Sequence, residues 1–150
     1  MISAVTITGT RSTNHRPTED YHQLFADHLR PYAGAHFYIG GARGIDTLAL
    51  LWLAENTAAP LTVVVPGRVE QQPAEAREAV ARTRNRITEV VELGAAELRT
   101  PAFHARNRWM VDHSQFTIGF PLTGPPGTSG TWQTLNYTHE QGRPHLIVPV

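Results

Sequence analysis

Two glycine-rich turns, each between an apolar strand-like run and a helix-like run, constrain the fold of this chain most strongly. The first covers residues 40–46 (Gly-Gly-Ala-Arg-Gly-Ile-Asp), and the second covers residues 127–131 (Gly-Thr-Ser-Gly-Thr). A third turn, Gly9-Thr10-Arg11, follows a β-branched run. Glycine lets a backbone approach a ligand closely, and a helix that begins behind the turn adds partial positive charge. Such turns together predict a phosphate site and a nucleotide-type ligand.

Strand-like and helix-like segments alternate along the chain, which is typical of an α/β protein. Apolar and β-branched runs predict strands at 5–8, 36–39, 61–65, 87–93, 116–120 and 145–150. Helical spacing of apolar residues predicts helices at 19–29, from about 46 onward, and at 74–84, 103–112 and 131–141. We therefore expect a single three-layer Rossmann-like domain over residues 1–150, with a mostly parallel sheet and helices on both faces. The three glycine turns would then meet at the carboxyl edge of the sheet.

Composition excludes several kinds of chemistry. The 150 residues include no Cys and no Lys, which rules out disulfides, thiolate nucleophiles, Cys-ligated zinc, a Lys Schiff base and a P-loop Lys. Thirteen basic and thirteen acidic residues give zero net charge, which argues against a strong non-specific hold on nucleic acid. The eight histidines form no His-x-x-x-His pair, so we expect no metal site, and we expect no cofactor. No apolar run approaches the ~20 residues that span a bilayer, so we expect a cytoplasmic protein.

Four motifs, in order along nearly the whole chain, resemble those of the SLOG superfamily of Rossmann-like nucleotide-binding domains. Residues 40–49 are similar to the signature of its DNA-processing protein A (DprA/Smf) family, and residues 9–11 match the Gly-Ser-Arg turn that opens many members. Residues 129–131, with the later Gly142-Arg143-Pro144, match the C-terminal signature. Residues 106–110 resemble the Arg-Asn-x-x-Met element of the small stand-alone YspA-like branch. The resemblance implies a Rossmann-like fold and a nucleotide-type ligand.

The sequence departs from two relatives in that superfamily. The cytokinin-activating LOG enzymes, which are phosphoribohydrolases, carry Pro-Gly-Gly-x-Gly-Thr-x-x-Glu, and alignment on this motif puts Thr134 where their catalytic Glu stands. Threonine neither stabilises a developing positive charge nor activates water well, so we assign no catalytic residue. DNA-processing proteins usually have additional domains and a basic surface, and we expect neither from 150 residues of zero net charge.

The predicted ligand-binding residues come from the glycine turns and from the Arg-Asn element. They are Gly9, Thr10, Arg11, Gly40, Gly41, Ala42, Arg43, Gly44, Asp46, Arg106, Asn107, Ser129, Gly130 and Thr131. The arginines would clamp a phosphate, and the residues at 129–131 would supply N–H and hydroxyl groups at a helix start. Asp46 would either bind a ribose hydroxyl or hold the glycine loop. Steric need in tight turns, ordinary helix capping and a solvated helix face are the alternative explanations.

We expect the chain to bind a small nucleotide or nucleotide-sugar, such as an ADP-ribose derivative, without catalysis. One alternative is a nucleotide N-glycosidic-bond hydrolase of the LOG type, with a carboxylate such as Asp46 as catalyst. Another is a single-stranded nucleic-acid binder similar to the DNA-processing proteins. We expect Trp109 and Trp132 to pack in the core. The alternative is that they stack on the base of a ligand.

A homodimer or higher even oligomer is expected from the second helix. This helix carries Leu48, Leu50, Leu51, Trp52 and Leu53, which is more apolar surface than one sheet-facing stripe requires. Because one small domain offers no further layer to cover the outer side, we expect a second subunit to do so.

Overall fold

The computed structural model describes residues 1–122 and 129–150. Its strands within these ranges are β1 (Ala4–Gly9), β2 (His36–Gly40), β3 (Leu61–Val65), β4 (Ile87–Glu92), β5 (Phe116–Phe120) and β6 (His145–Ile147). The helices in the same ranges are α1 (Thr18–His28), α2 (Ile45–Asn56), α3 (Ala74–Arg82), α4 (Thr100–Asp112) and α5 (Gly130–Glu140). Short 3-10 turns occur at Arg30–Tyr32 and Val69–Gln71. Strand and helix alternate as the sequence predicts.

All neighbouring strands pair in parallel, in the order β4-β3-β2-β1-β5-β6. Helices α1, α2 and α3 pack together on one face of the sheet, and α4 and α5 pack on the other. The predicted three-layer Rossmann-like architecture is therefore confirmed. No helix within the described ranges combines the length and the apolar character that crossing a membrane requires.

The predicted elements are all present, and their ends differ most from the prediction at the start of α4 and the end of β6. Helix α4 begins at Thr100 rather than Phe103, because Pro101 suits a first helical turn, where its missing N–H has no acceptor to bond. Strand β6 ends at Ile147, although the N–H groups of Val148 and Val150 still donate to carbonyl groups of Gly119 and Pro121. Glu89 near the centre of β4 is tolerated because this strand lies at the edge of the sheet.

Helix α2 is mostly covered within the chain, which weakens the argument made above for a second subunit. Leu50 is 3% exposed and Leu53 is 0% exposed, because α1, α3 and the sheet surround the helix. The ring of Phe25 on α1 lies 6.2 Å from that of Trp52, and it also meets Phe120 edge-on at 5.4 Å. Leu50 and Leu53 thus need no partner to be buried, whereas Leu48 and Leu51 are half-buried, and the homodimer stays a prediction.

The turn before α2 fits tightly against the loop that follows β1. Gly44 has φ +77°, and a Cβ at this position would lie 2.5 Å from the carbonyl oxygen of Thr10. The N–H of Ile45 donates to that same oxygen at 3.0 Å. Gly9 completes the contact, since a Cβ there would lie 2.4 Å from Ile45 Cβ. The glycines at 9 and 44 therefore allow two loops to touch, and this contact fixes where α2 begins.

We expect Gly44→Ala to destabilise the fold by at least ~2 kcal/mol more than Gly94→Ala in urea unfolding. Both glycines have positive φ, which L side chains rarely adopt, and the ψ of −127° at Gly44 adds a further backbone cost there because it lies outside the left-handed helical region. A Cβ on Gly94 meets nothing within 4 Å, whereas one on Gly44 overlaps the loop after β1. Equal losses in the two variants would show that the close contact between the loops contributes nothing.

Candidate functional site

The strand order reverses beside β1, because the chain moves outward from β1 to β4 and then returns to place β5 on the opposite side. A cavity of about 650 Å³ lies at the carboxyl edge of β1, where that reversal occurs. Open α/β sheets bind ligands at this kind of switch point, and small-molecule pockets have volumes of roughly 300–1,000 Å³. Both the position and the size suit a small-molecule site.

The cavity wall combines the end of β1 and the loop after it, one face of α4 and the start of α5, with Ala42 from the turn before α2 and Asp46 from the first turn of α2. The described residues that line it are Ile7, Thr8, Gly9, Thr10, Arg11, Ser12, Ala42, Asp46, Thr100, Phe103, His104, Arg106, Asn107, Met110, Leu122, Ser129, Gly130, Thr131 and Trp132. Two arginines, one histidine and one aspartate supply its ionisable groups.

Helix α5 directs its N-terminus to the cavity because β5 lets the helix approach the sheet. A Cβ on Gly119 would lie 2.8 Å from the methyl carbons of Leu135, so glycine is what permits this spacing. Ser129 caps the helix, and its Oγ accepts a hydrogen bond from the N–H of Trp132 at 3.3 Å. The first N–H groups of a helix have no intrahelical acceptor, and the helix dipole adds partial positive charge there. This helix end therefore suits an anion.

Arg106 is a buried cation on the cavity wall, with only 5% of its surface exposed. Its Nε donates to Asn107 Oδ1 at 2.8 Å, and its Nη1 donates to the carbonyl oxygen of Val64 at 3.3 Å. Asn107 Nδ2 in turn donates to Gln133 Oε1 at 3.2 Å, which links α4 to α5. Burial lowers the pKa of Arg106, and the nearby Asp46 carboxyl opposes that effect. These hydrogen bonds hold the guanidinium in one orientation.

Asp46 is a buried carboxyl group on the same wall, 7% exposed. Its Oδ2 accepts a hydrogen bond from the N–H of Ala42 at 3.3 Å. Burial raises the pKa of Asp46 from 3.8 to about 7, and Arg106, the Ala42 N–H and Arg11 act in the opposite direction. Near neutral pH the two guanidinium groups thus face a carboxyl group that is only partly ionised, so the wall has a net positive charge.

Arg11 is exposed, and its guanidinium carbon lies 5.2 Å from the centre of the Phe103 ring. A cation above an aromatic face is attracted by the π electrons of the ring. The contact holds Arg11 against α4 without using its N–H donors, so those donors remain available to a ligand in the cavity.

Most of the predicted ligand-binding residues come together here. Those that line the cavity are Gly9, Thr10, Arg11, Ala42, Asp46, Arg106, Asn107, Ser129, Gly130 and Thr131. Two further residues of the second glycine turn, Gly127 and Thr128, lie outside the described residues. Contact between these side chains and a ligand stays a prediction.

Four of the predicted residues stand away from the cavity wall: Gly40, Gly41, Arg43 and Gly44. A Cβ on Gly40 would lie 2.6 Å from Arg106 Nη1 and 2.7 Å from Asp46 Oδ2, and one on Gly41 would lie 2.6 Å from Val65 Cγ1. Gly44 meets the loop after β1, as described above, and Arg43 is exposed. The close approach of other parts of the protein gives these glycines a steric role, and their contact with a ligand stays a prediction.

Several lining residues were not predicted, among them Ser12, Thr100, Phe103, His104, Met110 and Leu122. Phe103 and Met110 lie at helical spacing within the helix predicted at 103–112, a pattern that is typical of packing, and Thr100 lies in a helical turn that the sequence pattern missed. Trp132, considered for base stacking, is half-buried at the cavity, whereas Trp109 stacks on His113 with ring centres 3.7 Å apart. The one available signal was their spacing, since 103 and 110 share a helical face with 106 and 107.

Thr134 does not occupy a catalytic position. It is 0% exposed, and its Oγ1 donates to the carbonyl oxygen of Gly130 at 2.8 Å. A side chain bonded to its own helix in this way leaves no group at that place to act on a ligand. Among the described lining residues Asp46 is the one carboxyl group, and His104 is the other side chain there that acts in acid–base chemistry.

The fold and the cavity define a Rossmann-like α/β protein with a positively charged site at its switch point. Within that class, the chain belongs to the DNA recombination-mediator protein A family, whose family model matches residues 2–150. The resemblance inferred from the four motifs is therefore confirmed. No curated protein sequence matches the chain.

Solved structures of similar fold include two bacterial DNA processing proteins A. The Helicobacter pylori protein, whose structure describes a single-stranded DNA binding mode, has a TM-score of 0.73, 21% identity and coverage of 99% of this chain and 66% of its own. The Streptococcus pneumoniae protein has a TM-score of 0.74 and 21% identity, and the match covers 99% of this chain and 50% of that protein. The chain therefore spans between half and two thirds of these relatives.

A molybdenum cofactor binding protein from Rippkaea orientalis is a more distant neighbour. Its TM-score is 0.63 at 16% identity, with coverage of 99% of this chain and 77% of the other. At such identities the likeness to all three structures shows the fold alone.

Asp46 makes stability depend on pH. Between its ordinary pKa of 3.8 and its folded-state pKa of about 7, the folded protein keeps a proton that the unfolded chain has lost. The contribution of Asp46 to the free energy of unfolding is therefore complete at low pH and decreases as the pH rises from about 4 to about 7.

The matched variant for this titration is Asp46→Asn, which keeps the size of the side chain and removes the ionisable group. We expect the free energy of unfolding of the wild type, relative to that of the variant, to fall between about pH 4 and pH 7 in urea titrations. A difference that is constant or rises with pH across that window would contradict the raised pKa.

Proposed function

We propose that this chain binds a nucleotide or nucleotide-sugar, with its phosphate group in the switch-point cavity. The observation that carries the proposal is the convergence of two guanidinium groups and the N-terminus of α5 on one cavity. A phosphate accepts hydrogen bonds from both kinds of donor. The cavity of about 650 Å³ has room for a base and sugar beside the phosphate.

The lining separates into groups with different tasks. Arg11 and Arg106 supply charge, and Asn107 and the residues before and within the first turn of α5 supply neutral donors. Phe103 and Trp132 offer aromatic surface on which a base can rest. An ADP-ribose derivative, which carries two phosphates and a second sugar, remains the ligand we propose within this class.

Binding of single-stranded nucleic acid is the second candidate, and family membership favours it. The H. pylori relative is described as binding single-stranded DNA. The charge of this chain argues against a tight complex, since its 13 basic residues are balanced by 13 acidic ones. A single nucleotide unit of such a strand would use the same donors as a free nucleotide.

We expect ADP-ribose to raise the melting temperature of the protein, because a ligand at a hundred times its Kd adds about 2.7 kcal/mol to the free energy of unfolding. Gly130→Val should weaken binding at least ~10-fold with little change in unliganded stability, since a Cβ there meets, among the described residues, only Asn107 Nδ2, at 3.9 Å. Gly34→Val is the matched control, because its Cβ meets nothing within 4 Å and Gly34 is not part of the cavity wall. Normal binding by Gly130→Val would contradict the proposed site.

Gly41→Val is a poor test of ligand binding, although the glycine turn suggests it. Its Cβ would lie 2.6 Å from Val65 Cγ1 in the core, so the substitution should impair folding before it affects a ligand. A structural effect and a binding effect cannot be separated at this position.

Affinity for a thymidine oligonucleotide should be weak near physiological salt, because few net charges are available to release counterions. Fluorescence anisotropy at several salt concentrations measures this directly. Tight binding with a steep salt dependence would favour the second candidate over a free nucleotide.

The cellular location of the protein and its oligomeric state stay proposals. A cytoplasmic location agrees with the absence of Cys in the sequence. A homodimer would have to use a surface other than the buried side chains of α2, and light scattering at micromolar concentration would detect it.

A further inference from the structure

The acidic group of the cavity has an unusual position. Among the described lining residues Asp46 alone is acidic, and it shares the wall with Arg11, His104 and Arg106. Arg106 Nη1 and Asp46 Oδ2 approach Gly40 from its Cβ side, so the two groups face each other across a glycine. The guanidinium nevertheless donates its described hydrogen bonds to Asn107 and to the Val64 carbonyl. The Asp46 carboxyl therefore depends on charge attraction for much of its stabilisation.

An anion in the cavity would compete for that attraction. Its negative charge would lie near Arg11 and Arg106, which are the cations that favour ionised Asp46. A second negative charge in a low-dielectric site also disfavours ionisation of the carboxyl group directly. Both effects act in the same direction, toward protonated Asp46.

We propose that the cavity takes up a proton on Asp46 together with its anionic ligand, so that affinity falls as the pH rises. This inference rests on the proposed function, because it concerns the same cavity and an anionic ligand. The raised pKa of Asp46, about 7 without ligand, puts the effect in the neutral range. Above that pKa, binding must first protonate the carboxylate, which lowers affinity by up to about tenfold per pH unit.

The other charged and titratable side chains near Asp46 determine which control variants the experiment needs. Arg106 on α4 and Arg11 on the loop after β1 are the cations that act on Asp46. His104 is the remaining ionisable side chain on the described cavity wall, so its part in any pH dependence must be tested separately. Glu75 on α3 accepts a hydrogen bond from the Gly44 N–H, two residues before Asp46 in the chain. His104→Gln is therefore the necessary control variant.

The probes are sulfate and ADP-ribose, whose charges do not change near neutral pH. Adenosine monophosphate is unsuitable, because its terminal phosphate itself titrates near pH ~6. Calorimetry in two buffers of different ionisation enthalpy measures the protons taken up. We expect uptake approaching one proton per ligand above neutral pH, and an affinity that falls with pH for the wild type and for His104→Gln.

Asp46→Asn should bind the same probes with an affinity that no longer changes with pH, and more tightly than the wild type at about pH 8.5. In the wild type, the carboxyl 13C signal of Asp46 should titrate at higher pH after sulfate is added, which tests the inference without a variant. Loss of the pH dependence in His104→Gln, with its retention in Asp46→Asn, would overturn the inference. Binding without pH dependence would overturn the inference alone, whereas no binding at any pH would overturn the proposed function as well.

Discussion

The contact between the loop after β1 and the turn before α2 determines much of this structure. Thr10 accepts the first N–H of α2 through its carbonyl oxygen, and Gly44 has no Cβ to keep the two backbones apart. Since α2 begins there, its position sets where Asp46, in the first turn, meets the cavity. The same loop carries Arg11. One backbone contact thus positions two of the ionisable groups that the candidate site uses.

Zero net charge conceals a strong local asymmetry. The 13 basic and 13 acidic residues cancel over the whole chain, yet the cavity gathers two arginines and one aspartate of raised pKa. Exposed charges are weakened by water and salt, whereas buried ones such as Arg106 act at lower effective dielectric. Local arrangement therefore matters more to a small anionic ligand than total charge does, while total charge governs long polyanions.

The sequence was sufficient to predict the order of the elements, because the apolar runs are short, well separated and bounded by glycine and proline. It was also sufficient to predict that residues 9–11, 106–107 and 129–131 meet at one edge of the sheet, since parallel strands have their carboxyl ends on the same side. It failed where the answer depends on tertiary neighbours. The apolar surface of α2 gave no indication that α1 and α3 would cover Leu50 and Leu53.

The roles of single residues on the cavity wall also depend on tertiary neighbours that the sequence pattern does not reveal. Phe103 and Met110 have the pattern of core residues in a helix, and only the position of α4 beside the switch point turns them toward a cavity. The glycines of the first turn were assigned to ligand contact, because a close backbone approach by a ligand and one by another segment of the protein leave the same pattern in a sequence.

Gly40 shows how such a glycine can still matter to a ligand. It leaves room for the Arg106 guanidinium and the Asp46 carboxyl to face each other, and a Cβ would come within 2.6 Å of the first and 2.7 Å of the second. Any larger residue would push the two groups apart and weaken the attraction that opposes protonation of Asp46. The glycine signature would then act on ligand binding through the charge state of its neighbours, without contact between glycine and ligand.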